Sequence, residues 1–191
     1  DQIVEALRAP ELRQPPPIQA AYAATVSAQV ALIATLNTQV DALEQVVAEH
    51  FGRHPAAEIL TSLPGVGITL GARLLGEFGD DPDRYVDAKA RKAYAGTAPL
   101  TKASGTKKIV MARYARNKRL GDAAQHWAFS SMRGSAGAKT YYQQLRARGT
   151  GHQAALRQLA NRWVGILHGC LKHGTTYDEH TAWSHILNTA A

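Results

Sequence analysis

The amino-acid sequence predicts a mostly α-helical protein, a long coiled-coil helix followed by a compact helical domain containing a helix-hairpin-helix. Three observations carry that prediction. Apolar side chains recur at alternating spacings of four and three from Tyr22 to Val47. The pentapeptide Leu63-Pro64-Gly65-Val66-Gly67 sits between two short helical patterns. The last third of the chain holds amphipathic runs, the longest with a broad apolar face of Leu156, Leu159, Trp163, Ile166, Leu167, Cys170 and Leu171.

Residues 1–17 read as a linker or tail. Ile3, Val4 and Leu7 end a short helix, and Pro10 with the run Pro15-Pro16-Pro17 breaks it and stiffens the connection. Residues 18–51 form the coiled-coil helix, with a seam of Tyr22, Val26, Gln29, Ile33, Leu36, Val40, Leu43 and Val47. Gln29 is the polar member of that seam. It either helps to fix register or marks a drift toward neighbouring Val30. About 33 residues make a rod of about 50 Å. Its flanks are rich in Ala, Thr and Gln and poor in charge, so charged flanks would select a partner only weakly. The seam packs either on its own domain or on a second copy in a homodimer.

Residues 52–191 form the helical domain. Helices are expected over Ala56–Ser62 and Ile68–Phe78, with Gly65 and Gly67 making the tight turn between them. Bare amides and the positive end of the second helix favour an anion. Such a turn also joins ordinary helices. Asp80-Asp81-Pro82-Asp83 is an acidic turn, Asp87 caps a helix through Ala95, and Gly96-Thr97-Ala98-Pro99 ends it. Lys107–Ala112 is expected to be extended. Further helices fit Asn117–Met132, Gly137–Arg148, His152–His173 and Asp178–Leu187.

The balance of 22 Lys+Arg against 15 Asp+Glu gives a net charge of +7, which suits a polyanionic partner, DNA or RNA, without excluding an acidic membrane surface. The single cysteine, Cys170, rules out an internal disulfide and suits a reducing cytoplasm. No apolar run is expected to approach the length of a membrane span, and no signal peptide is visible. The chain opens on Asp1 in mid-pattern, which reads as a fragment of a longer protein.

The segment Leu100–Arg119 holds seven basic residues and no acid: Lys102, Lys107, Lys108, Arg113, Arg116, Lys118 and Arg119. Ser104-Gly105 lies inside it. A serine hydroxyl needs a base, a metal or strong stabilisation of its target before it attacks. Displacement at phosphorus depends on positioning and on cations around the phosphoryl oxygens, which these residues supply. Gly105 lets the backbone approach a bulky substrate. Ser104 is therefore the candidate nucleophile. It can equally hydrogen-bond a phosphate or cap a turn. Ser62, Ser130, Ser131 and Ser135 are weaker candidates. The eight histidines form no ligand pair beside a carboxylate, so no metal site is expected in this chain, and the Pro64-Gly-Val-Gly67 turn lacks the ending of a nucleotide-binding loop.

In this order and spacing, Leu63-Pro-Gly-Val-Gly67, Tyr94-Ala-Gly-Thr-Ala-Pro99, Ser104-Gly105, Ala112-Arg113-Tyr114 and Asn117-Lys-Arg-Leu120 carry a resemblance. Over about residues 18–180 the chain resembles the C-terminal transposase part of the IS one-ten insertion-sequence family, the bridge-RNA-guided DNA recombinases. The resemblance implies that Ser104 attacks a DNA phosphodiester and holds the strand as a phosphoserine ester. It adds Asn117 to the nucleic-acid-binding candidates. It also implies a guide RNA, assembly from dimers with shared active sites, and Mg²⁺ on a RuvC-like acidic domain outside this sequence. Neither Asp1 nor Glu5 can be matched to that acidic set. The implied setting is the bacterial cytoplasm, at the nucleoid. Ala112-Arg113-Tyr114 departs from the Ser-Lys pair of many members, which leaves the role of Arg113 open. The competing expectation is a non-catalytic helix-hairpin-helix module for nucleic-acid binding and dimerisation.

Overall fold

The structure, a computed structural model, describes residues 2–9 and 14–187. The expectations placed on Asp1 and Pro10 lie outside the described residues. The chain divides into two compact units, up to Gln45 and from Val46 onward.

The first unit holds α1 (Gln2–Arg8) and most of α2 (Pro16–Gly52). Helix α1 ends ahead of the proline run, and α2 begins within it, at Pro16 rather than Ile18. Pro16 and Pro17 are its first residues, and Pro15 O accepts from Ile18 N at 2.9 Å and Gln19 N at 3.1 Å. The first turn of a helix leaves its N–H groups unpaired, so losing them to proline costs nothing there. Along α2 the seam residues are exposed, among them Tyr22 at 68%, Leu36 at 62% and Leu43 at 64%.

One expectation needs correction. By length and composition α2 is apolar enough to cross a membrane, with an 18-residue window of mean hydropathy 1.3. The reason is the absence of charge between Arg13 and Asp41. The hydroxyls of Thr25, Thr35 and Thr38 also turn back onto carbonyls four residues earlier, at 2.9, 3.0 and 3.1 Å.

The second unit contains α3 (Ala57–Ser62), α4 (Ile68–Phe78), α5 (Ala88–Tyr94), strands β1 (Leu100–Ser104) and β2 (Lys107–Met111), α6 (Lys118–Ser131), α7 (Ala136–Ala147), α8 (His152–His173) and α9 (Glu179–Leu187). Helix α8 is the central element, touching α3, α5, α6 and α7. Its start follows Gly151, and its end is closed by Gly174 in the left-handed region. Trp127, Trp163 and Trp183 have no exposed surface and form the centre of the core. Trp127 stacks on Trp163 at 5.3 Å, and Trp183 meets Trp163 edge-on at 5.4 Å. Each indole N–H is satisfied, by Pro64 O at 3.0 Å, Ser131 Oγ at 2.8 Å and Tyr177 OH at 2.9 Å respectively. Arg91 is buried with its guanidinium over the rings of Phe78 and Tyr85, at 5.2 and 4.7 Å, which ties α5 to α4.

Asp178 caps α9 by accepting from Thr181 N at 2.7 Å, and side chains cap three further helix starts. Asp87, Asn117 and Ser135 accept from Ala90 N, Leu120 N and Ala138 N at 2.7, 3.1 and 3.0 Å. Asn117 thus stands before α6 as its cap rather than inside it. Helices α4 and α8 have the expected bounds. Strand β1 was not expected. It pairs antiparallel with β2, so the extended segment is half of a hairpin.

Candidate nucleic-acid interface

The turn between α3 and α4 is built by glycine for two different reasons. Gly65 has φ +78, and a Cβ there would lie 2.6 Å from Ser131 N and 2.7 Å from the Ser130 carbonyl carbon. Its absent side chain lets the turn press onto the end of α6, where Ser130 Oγ donates to Gly65 O at 3.0 Å. Gly67 has open space where a Cβ would be. It precedes α4 without any side-chain cap, so the first amides of α4 remain unclaimed among the described residues.

An open cleft of about 950 Å³ lies beside this turn, with Gly134, Ala136 and Tyr177–Glu179 opposite. Glu179 accepts from Ser135 Oγ at 3.0 Å and Gly137 N at 2.8 Å, and also from Tyr177 OH. The N-terminus of α7 is therefore already neutralised by a carboxylate, whereas that of α4 is not. Burial and the Glu179 hydrogen bond push the Tyr177 hydroxyl pKa far up, so it stays a donor.

Ser104 is the last residue of β1, and the hairpin closes through Gly105 and Thr106. Gly105 has φ +55 and Thr106 does not have positive φ, the pattern of a type II′ turn with glycine first. The register sorts the lysines. Ser104 pairs directly with Lys107, and Lys102 pairs with Ile109. Paired residues share a face and alternate residues return to it, so Ser104, Lys107 and Lys102 lie on one face. Lys108, paired with Ala103, lies on the other. The whole hairpin beyond Leu100 is exposed, and Ser104 Oγ makes no hydrogen bond among the described residues.

The remaining candidates are more committed. Arg113 Nε donates to Ala98 O at 3.3 Å. The Arg116 side chain fills the space that a Cβ on Gly96 or Gly121 would need, at 2.1 and 2.8 Å. Asn117 caps α6 and donates to Glu77 Oε2 at 2.6 Å. Arg119 faces Glu77 at 3.8 Å, and its carbonyl accepts from Arg73 at 3.0 Å. Lys118 and Arg119 are exposed. The structure thus brings residues 117–119 to the C-terminal half of α4, about 15 Å along the helix from Gly67. Arg73, which sequence reasoning passed over, belongs to this group. Among the described residues no three His, Cys, Asp or Glu side chains come together.

Residues 57–143 match the family model for the transposase IS116/IS110/IS902 family. Among curated proteins, the chain is 41% identical over 179 residues to one named "Mini-circle putative transposase for IS117", from Streptomyces coelicolor, covering 94% of this chain and 43% of that protein. It is 36% identical over 149 residues to the 43.6 kDa protein of insertion element IS110 from the same organism, covering 76% and 36%. It is 34% identical over 157 residues to the 42 kDa protein of IS900 from Mycobacterium paratuberculosis, covering 81% and 39%. The chain therefore spans less than half the length of these relatives. The matched region contains the α3–α4 turn, the Ser104 hairpin and the basic segment leading into α6. Together the family model and the insertion-element relatives support the chain as part of an IS110-family transposase.

Proposed function

We propose that this chain is the DNA-binding, strand-exchanging part of a transposase and that Ser104 is its nucleophile. One observation carries the reading: an exposed serine at a hairpin tip shares its face with Lys107 and Lys102, within the region that matches the family. In the proposed step the Oγ–P bond forms as the P–O3′ bond breaks. The hydroxyl gives up its proton, the leaving 3′ oxygen gains one, and a 5′ phosphoserine ester remains. A second 3′ hydroxyl then attacks phosphorus and expels Oγ. Lys107 and Lys102 neutralise charge on the phosphoryl oxygens, where it is concentrated in transit. The amides at the start of α4 and the exposed Lys108, Lys118 and Arg119 hold backbone phosphates. A guide RNA shares this basic surface, and a second copy covers the α2 seam. Mg²⁺ belongs to an acidic domain outside these residues, and no step here passes through it. The setting is the bacterial cytoplasm, at the nucleoid.

A second reading, a binding and dimerisation module without chemistry, is favoured by Ser104 Oγ making no hydrogen bond to a base among the described residues. Full-length protein with its guide RNA separates the two. Ser104→Ala is expected to abolish recombination and leave DNA affinity within about two-fold, because one hydroxyl removes no charge. Recombination that persists within a few-fold of normal would favour the module.

A further inference from the structure

Helices α6 and α7 leave between them a groove of about 270 Å³, lined by Phe129, Met132, Arg133, Lys139, Tyr142 and Gln143. It lies outside the Ser104 hairpin and the α3–α4 turn. Phe129 is 54% exposed, so about half of a large aromatic ring is left uncovered by the described residues. Tyr142 is held in place, with its hydroxyl 2.7 Å from His152 Nδ1 and its ring edge-on to the imidazole at 5.9 Å. Arg133 and Lys139 at the rim are exposed, and their side chains make no hydrogen bond or ion pair among the described residues. No carboxylate lines the groove. Its volume is below the about 300 Å³ at which small-molecule pockets begin.

Exposed aromatic rings flanked by unpaired cations are what binds an unstacked base together with its neighbouring phosphates. We infer that this groove is a docking site for an unpaired nucleotide of single-stranded DNA. The base stacks on Phe129 over Met132, and Arg133 and Lys139 take the adjoining phosphates. Thymine is favoured, because its methyl group adds apolar contact with Phe129 and Met132. DNA is chosen as the source because strand exchange, as proposed above, exposes single strands of DNA. The site itself does not depend on Ser104.

The test is fluorescence anisotropy with the 191-residue chain, a short oligothymidylate, and an abasic oligomer of equal length. Phe129→Ala is expected to weaken oligothymidylate about ten-fold, the size of one lost base stack, and to leave the abasic oligomer unchanged. Phe129→Trp should retain the affinity. Arg133→Gln with Lys139→Gln should lower the slope of log affinity against log salt by about 1.4, two phosphates at the single-strand value. Phe129 is 54% exposed, so Phe129→Ala should lower melting only modestly and leave the chain folded, and Ser104→Ala should alter none of these affinities. That variant keeps a failure here distinct from a failure of the catalytic reading. Equal loss for oligothymidylate and the abasic oligomer, or no loss on Phe129→Ala, would overturn the base-stacking site. Oligouridylate bound as tightly as oligothymidylate would overturn the assignment to DNA.

Discussion

Lys107→Ala and Lys108→Ala are adjacent in sequence and are expected to behave differently. In the hairpin Lys107 is the direct partner of Ser104, while Lys108 sits on the opposite face with Ala103. Directly paired residues have Cβ atoms about 4.5–5.5 Å apart. From there the Lys107 ammonium reaches within about 4 Å of a phosphoryl oxygen on Ser104 Oγ. At that distance a charge pair is worth about 1 kcal/mol in water and about 4 kcal/mol at a protein surface with effective dielectric near 20. The hairpin is exposed, so salt and solvent hold the value near the low end, about 1–2 kcal/mol. Lys107→Ala should therefore slow covalent strand cleavage by about 5- to 30-fold. Lys108→Ala should slow it less than about two-fold, though it weakens DNA binding at low salt through the lost phosphate contact. The assay is single-turnover formation of the protein–DNA adduct by full-length protein at saturating DNA, with binding measured separately. Equal slowing by the two variants, or a larger effect of Lys108→Ala, would refute the face assignment.

Gly65→Ala should destabilise the fold by about 3 kcal/mol, combining a left-handed conformation for a residue with Cβ with a clash against helix backbone, whereas Gly67→Ala should cost less than about 1 kcal/mol. Thermal melting of the two variants makes the comparison, and equal melting would contradict the packing of the turn on α6. Leu36→Glu with Leu43→Glu should shift the chain toward monomer in sedimentation, since both seam residues are exposed along α2 and two buried charges would oppose pairing. An unmutated chain that sediments as a monomer at high micromolar concentration would remove the homodimer. His168 has its pKa lowered by burial first and then by the Arg91 charge. The unfolded chain therefore binds a proton that the folded chain resists, so this contribution is intact above the unfolded value of about 6.5 and is lost as pH falls below it. His168→Asn should flatten the loss of melting temperature between neutral and mildly acidic pH. An unchanged slope would show that other groups control it.

Much of the helical frame was legible because its ends carry their own chemistry. Gly67 and Gly151 precede α4 and α8, Gly174 stops α8, and Asp87 caps α5, all local signals that tertiary packing did not override. Helix α2 starts at Pro16 rather than Ile18 because proline, which breaks a helix interior, is accepted in its first turn. Strand β1 was missed because Leu100–Ser104 lacks the β-branched run that marks a strand. The available signal was Gly105-Thr106 between two five-residue segments, a two-residue turn with glycine first. That omission mattered for the site, since a linear basic segment treats Lys107 and Lys108 alike and only the strand period separates them. Basic residues near one another in sequence also proved unequal in another way. Arg113, Arg116 and Asn117 are engaged with Ala98, Gly96 and Glu77, whereas Lys102, Lys107 and Lys108 point from an exposed hairpin. Charge counting cannot see that difference, because it depends on which backbone carbonyls and glycines the fold brings near.

The central claim is that Ser104 becomes joined to DNA, and mass analysis of the trapped adduct tests it most directly. Full-length protein, with the guide RNA proposed above, is reacted with DNA, denatured, and digested with nuclease and with trypsin, which cuts after lysine and arginine. Ser104 then lies in the short peptide Ala103-Ser-Gly-Thr-Lys107. The account predicts a nucleotide phosphate mass on that peptide, fragmenting to Ser104, and its loss in Ser104→Ala. The same mass on a different peptide, or an adduct that persists in Ser104→Ala, would contradict it.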